Sequence, residues 1–168
     1  MKLLSLALLI LVTTPACAQQ DKSKRPSPPA QVSATTTSGV TISIDYSQPS
    51  VKGRKIGAEI APYGEVWRTG ANEATVFEIS KDVKVEGQAL PAGKYGLYSI
   101  PGEKEWVFIF NKTWNQWGTK YDMKDDALRV TVKTGKSKEL TEKMTFTIDK
   151  NGKVSLLWGD VQVDFMVK

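Results

Sequence analysis

The chain has 168 residues, 40% of them apolar and 24% charged, which describes one ordinary folded domain rather than a disordered or membrane chain. Its net charge of +5 comes from lysines spread along the sequence, without the basic stripe or arm expected of a nucleic-acid binder. No histidine is present, which removes Ser-His-Asp and Cys-His nucleophile systems, histidine general bases and most zinc sites. Cys17 is the only cysteine, so no intrachain disulfide can form.

Residues 1–18, "MKLLSLALLILVTTPACA", place one lysine before an apolar run from Leu3 to Val12. That is the pattern of a secretory signal peptide, too short for an ordinary bilayer span. Ala16-Cys17-Ala18 fits a small-x-small cleavage site, after which the exported chain starts at Gln19. The alternative reading makes Cys17 a lipidated first residue, although Thr14 and Pro15 fit a lipoprotein lead-in poorly. The expected compartment is the periplasm or the exterior, with membrane attachment only through a lipid on Cys17. Residues 19–31, "QQDKSKRPSPPAQ", are polar and rich in Lys, Ser and Pro, and read as a flexible linker ahead of a domain at 32–168.

From Val32 onward the pattern is that of β-strands. "VTISIDY" (40–46) alternates apolar and polar residues, and "VSATTT" before it supplies a hairpin partner across Ser38-Gly39. "ATVFEIS" (74–80) follows, then "VKVEGQAL" (83–90), a tight hairpin around Glu86-Gly87. "GKYGLYSIP" (93–101) pairs with "EWVFIFN" (105–111), and "LRVTVK" (128–133) and "LTEKMTFTID" (140–149) read as two further strands. The end of the chain reads as a three-strand meander, with reversals at Asn151-Gly152 and Gly159-Asp160. About nine or ten short strands without a helical period predict an all-β, antiparallel β-sandwich, with a closed barrel as the alternative. Phe77, Trp106, Phe108, Phe110, Phe146 and Phe165 lie within strand patterns and are expected in the core.

Two stretches could carry chemistry. In "YGEVWRTGANEATVFEIS" (63–80), an irregular loop with Trp67, Arg68, Asn72 and Glu73 hangs on a strand. Arg68 offers a planar donor fork for a carboxylate, a phosphate or sugar hydroxyls, while Asn72 and Glu73 add donors and acceptors. The competing reading is structural: Glu73 pairs with Arg68, Asn72 caps a turn and Trp67 plugs the core. In "NKTWNQWGTKYD" (111–122), Trp114 and Trp117 stand in a polar loop where a ring can stack on a sugar or close the end of the sandwich. Asp122, Asp125 and Asp126 lack the spacing of a calcium loop, so no metal and no cofactor is expected. A carboxylate-dependent hydrolase would need two facing carboxyls, one with a raised pKa, and Glu73, Asp122 and Glu65 are the available groups.

"SQPSVKGRKI", "PYGEVWRTGANEAT", "LPAGKYGLYSIPG", "EWVFIFNKTWNQWGTKYD" and "LRV" follow in an order that resembles the family catalogued as domain of unknown function 2911 (DUF2911). The resemblance covers about residues 28–168, with Val66–Thr75 its most specific run. It implies an exported bacterial protein with one β-rich domain, and it brings no activity or catalytic residues. Gln48 and Trp114 depart from the family pattern, which leaves Trp117 as the aromatic candidate. The preferred functional reading is a non-enzymatic domain binding a small ligand or glycan through Trp67, Arg68, Asn72, Glu73 and Trp117. The alternatives are a structural or interaction module without such a site, and a hydrolase of envelope polysaccharide.

Overall fold

A computed structural model describes residues 21–168. The leader read over 1–18, including Cys17, and residues 19 and 20 of the linker lie outside the described residues. The described chain is all-β: β1 (Pro29–Thr35), β2 (Thr41–Ser47), β3 (Thr75–Ile79), β4 (Val83–Val85), β5 (Gln88–Leu90), β6 (Gly93–Ile100), β7 (Glu105–Asn111), β8 (Asp126–Ile148) and β9 (Lys153–Met166). Seven strands form one antiparallel sheet in the order β1-β2-β3-β6-β7-β8-β9, and β4 and β5 form a small second sheet. No helix among the described residues is long and apolar enough to cross a membrane.

The period-two pattern does what it predicts. In β2, Ile42, Ile44 and Tyr46 are buried while Thr41 and Asp45 face water, and in β3 Thr75, Phe77 and Ile79 point inward. The expected aromatic core forms around Phe77, Phe110, Phe108 and Phe165, with ring centres 5.0 Å apart for Phe77–Phe110 and 4.8 Å for Phe108–Phe165. Trp106 and Phe146 are also buried.

The sheet curls around this core because β8 serves both of its halves. Residues Asp126–Lys133 of β8 pair with β7, and Thr134–Ile148 pair with β9. The chain leaving β2 then reaches the far half of β8: Met144 N–H donates to Pro49 O (3.0 Å) and Val51 N–H to Glu142 O (2.9 Å). Tyr46 Oη accepts from Phe146 N–H at 3.1 Å, so the β2 and β8 ends of the sheet meet directly. The small sheet joins the end of β9 through Val85 and Val167. The barrel alternative does not hold in its closed form, since β1 pairs with β2 alone as a strand edge.

Three expectations differ from the structure. The segments 128–133 and 140–149 belong to one 23-residue strand, β8. Gly135 between them marks a close backbone approach rather than a turn, because a Cβ there would lie 3.0 Å from Gln162 O. Gly159-Asp160 is likewise no reversal: β9 runs through it, and the positive φ of Gly159 (58°) kinks the strand opposite the register shifts of β8. The expected meander is therefore a single long hairpin, turning at Asn151-Gly152. Finally, the stretch read as a linker is tied to the domain from Lys22 on, through Glu73, and Pro29–Gln31 already pair with Asp45–Ser47 in β1. Backbone pairing there outweighs the polar composition.

If Gly159 shapes β9 through its left-handed backbone, Gly159→Val forces a β-branched residue into that region. Stability measured by urea unfolding should fall by about 1–3 kcal/mol.

Candidate functional site

The loop that precedes β3 is fixed by one backbone bridge. Trp67 N–H donates to Ser99 O (2.7 Å) and Ser99 N–H to Trp67 O (2.8 Å), so residues 66–68 extend the lane of β3 beside β6. Trp67 turns inward and stacks on Trp158, with centres 5.2 Å apart and planes 5° from parallel, and its ring meets Trp106 edge-on at 6.4 Å. Alternation along an extended chain sends Val66 and Arg68 to the other face, where Tyr98, Ala74 and Ile109 form a second, smaller cluster. Beyond Arg68 the chain turns sharply, with positive φ at Thr69 (49°) and Asn72 (61°). Thr69 Oγ1 donates to Ser99 Oγ at 2.9 Å and Thr75 Oγ1 to Thr69 O at 2.9 Å, which holds the turn against β6 and β3.

The predicted site residues separate here. Trp67 and Arg68 line a concavity of about 430 Å³ together with Val66, Tyr98, Gly118, Thr119 and Tyr121. Asn72 and Glu73 instead hold the N-terminal stretch. Asn72 Nδ2 donates to Ser27 O at 3.1 Å, and Arg25 Nη1 donates to both oxygens of Glu73 at 3.0 and 2.9 Å. Lys22 Nζ adds a contact of 3.0 Å, so Glu73 pairs with Arg25 and Lys22, not with Arg68. Trp117 is 46% exposed and contributes its backbone surroundings: Ala74 N–H donates to Gln116 O and Gly118 N–H to Asn72 O, both at 3.0 Å. Its indole is outside the lining of the concavity. Trp114 lies over Gly96, with Lys94 Nζ 5.3 Å from its ring centre.

Tyr98, Thr119 and Tyr121 complete the concavity and were not singled out from the sequence. For Tyr98 the signal was present: in "GKYGLYSI" the alternation that buries Tyr95 and Leu97 in the core sends Tyr98 to the opposite face. The two tyrosine rings lie 4.9 Å apart. Tyr98 Oη donates to Lys120 O (3.3 Å) and accepts from Gln116 Nε2 (3.1 Å). Tyr121 Oη donates to Asp126 Oδ2 (2.7 Å) and accepts from Arg129 Nη2 (2.8 Å). Burial, and then the hydrogen bond to Asp126, push the Tyr121 hydroxyl up to about 12.

Arg68 is the unmatched member. Its side chain is half-buried, a Cβ on Gly118 would lie 2.5 Å from its Cδ, and its Nε is buried with no hydrogen-bond partner among the described residues. No carboxylate among the described residues pairs with its guanidinium. The three aspartates of the neighbouring loop are otherwise engaged: Asp122 caps Lys124 N–H, Asp125 accepts from Thr113 Oγ1, and Asp126 binds Tyr121, Arg129 and Asn111. The described residues hold no group of three or more metal-ligating side chains.

Glu73 is unsuited to act as a general acid. Partial desolvation pushes its pKa upward, but hydrogen bonds from its own backbone, Lys22 and Arg25, together with the charge of Lys22, hold it at about 2. A depressed pKa contributes stability above the ordinary value of 4.5 that is lost as pH falls toward 2. Because the pair is partly exposed, Glu73→Gln should cost about 1 kcal/mol at neutral pH after solvent screening. In denaturant titrations the wild-type advantage should fade between pH 4.5 and about 2; an advantage that persists at the acid end would remove the ion pairs as its source.

No curated protein and no solved structure matches the chain. The family described as a protein of unknown function (DUF2911) matches residues 27–167, from the docked N-terminal stretch through β9. With nearly its whole length covered by that match, the chain belongs to the DUF2911 family.

Proposed function

We propose that this protein is an exported, cell-envelope binding module that takes a small ligand in the concavity beside Arg68 and catalyses no reaction on it. Export rests on the leader pattern of residues 1–18, with either cleavage before Gln19 or lipidation of Cys17 following from it. The observation that carries the binding reading is the half-buried Arg68, whose Nε has no partner among the described residues, in a concavity of about 430 Å³. Small-molecule sites are typically of this size, with apolar walls and few polar groups. Tyr121, backed by the fully buried Tyr98, and the exposed Val66 supply the apolar wall, and Thr119 and Arg68 supply the polar contacts. Asn72 and Glu73 leave the ligand contacts proposed from the sequence and act in holding the N-terminal stretch. A hydrolase using Glu73 as its general acid is disfavoured by the low pKa of that group.

The test is a thermal-shift screen of the purified protein against sugars, peptidoglycan fragments and small organic acids. A ligand present at a hundred times its Kd should stabilise the fold by about 2.7 kcal/mol. Thr119→Trp, at an exposed position of the rim, should fill the concavity and abolish that shift without lowering the melting temperature of the free protein. A shift that survives Thr119→Trp would place binding elsewhere, and no shift with any compound would favour a purely structural module.

A further inference from the structure

The polar groups around the concavity restrict what chemistry a ligand can bring. Tyr98 and Tyr121 have each committed their one hydroxyl proton, to Lys120 O and Asp126 Oδ2 respectively. With its hydroxyl at about 12, Tyr121 is neutral at physiological pH. Arg68 is then the one charged side chain among the lining residues, opposed by no carboxylate in that lining. Asp126, the nearest acid to Tyr121, is already neutralised by Arg129 at 2.8 Å.

The state of the Arg68 guanidinium sharpens this. Its Nε is sealed from solvent without an acceptor, so part of the cation's hydration is lost and nothing among the described residues replaces it. An undercompensated charge of this kind favours an anion at its remaining polar edge. That edge carries the two terminal nitrogens, Nη1 and Nη2, a planar fork that matches the two oxygens of a carboxylate. A phosphate dianion would call for further donors, and the lining offers no second cation. A monoanion with a flat body, by contrast, satisfies the fork at one end and the apolar wall of Tyr121 and Val66 at the other.

We propose that the concavity recognises the carboxylate of a small, ring-bearing organic acid, with Arg68 binding its two oxygens end-on and the ring lying against Tyr121 and Val66. This rests on the reading of the concavity as a ligand site. Commitment to a carboxylate is what it adds.

Matched pairs of probes separate the two claims: glucuronate against glucose, and benzoate against benzamide, measured by calorimetric titration and thermal shift. The acid of at least one pair should bind about tenfold or more tighter than its neutral partner, the scale of a charge-assisted hydrogen bond. Its affinity should fall as salt rises. Arg68→Gln should erase the preference, and Arg68→Lys, which keeps the charge and loses the fork, should retain only part of it. Should Arg68→Gln prove unstable, the Lys variant and the salt dependence still read the carboxylate contact. Equal binding of acid and neutral partner, abolished by Thr119→Trp, would overturn the carboxylate assignment and leave the binding site standing. An acid preference unchanged in Arg68→Lys would also overturn it. Binding of neither pair overturns the carboxylate assignment, and the ligand-site reading falls with it when the wider screen also gives no shift.

Discussion

The stacking of Trp67 on Trp158 is the contact on which both the fold near β3 and the candidate site depend. Trp158 belongs to β9 and Trp106 to β7, so the cluster ties the loop before β3 to a strand from the middle of the chain and one from its far end. Each such aromatic contact adds about 0.5–1.5 kcal/mol beyond the area it buries. The cluster also bears a cost, because the indole N–H groups of Trp106 and Trp158 are buried without partners among the described residues. Each orphaned donor forfeits about 1–3 kcal/mol of hydration. Packing of three large rings at one point offsets that loss. Once Trp67 is committed inward and bridged to Ser99, alternation leaves Arg68 no route except the outer face.

The signature loop is thereby divided between two tasks. Arg68 goes to the concavity, while Asn72 and Glu73 hold the N-terminal stretch through Ser27, Arg25 and Lys22. The division is made by the backbone between them. Thr69 and Asn72 sit at positive φ, a conformation that costs about 1–3 kcal/mol for residues other than glycine. The hydrogen bonds of Thr69 to Ser99 and of Thr75 to Thr69 O hold that turn, and Gly70 lets it pass close to Ser47 O. Glu73 then meets cations that lie nearly fifty residues earlier in the chain.

Strand positions and the core were legible in the sequence because their signal is local. Alternation in β2, β3 and β7 names the buried face directly, and Asn151-Gly152 marks the one reversal between β8 and β9. Glycine elsewhere was ambiguous, since it serves a turn, a bulge or a close approach equally well. Gly135 and Gly159 fulfil the last two roles, and β8 and β9 are twice as continuous as expected for that reason. The docking of residues 21–31 was hidden differently: Lys22 and Arg25 look like solvated charges until Glu73 is placed opposite them. Of the five site residues named from the sequence, Trp67 and Arg68 line the concavity, Arg68 from the outer face to which alternation sends it and Trp67 from an edge, its ring being turned into the core. Asn72, Glu73 and Trp117 depended on where the turn and the 112–118 loop cross, which no local pattern encodes.

That crossing is where the two tasks rejoin. Gly118 N–H donates to Asn72 O, and the same glycine lies so close to Arg68 that a Cβ would come within 2.5 Å of its Cδ. The concavity wall and the holder of the N-terminal stretch are thus two sides of one backbone contact. Asn72 ties that contact to Ser27, and the next residue, Glu73, ties it to Lys22 and Arg25. The packing of Arg68 is consequently tied to where Lys22, Arg25 and Ser27 are held.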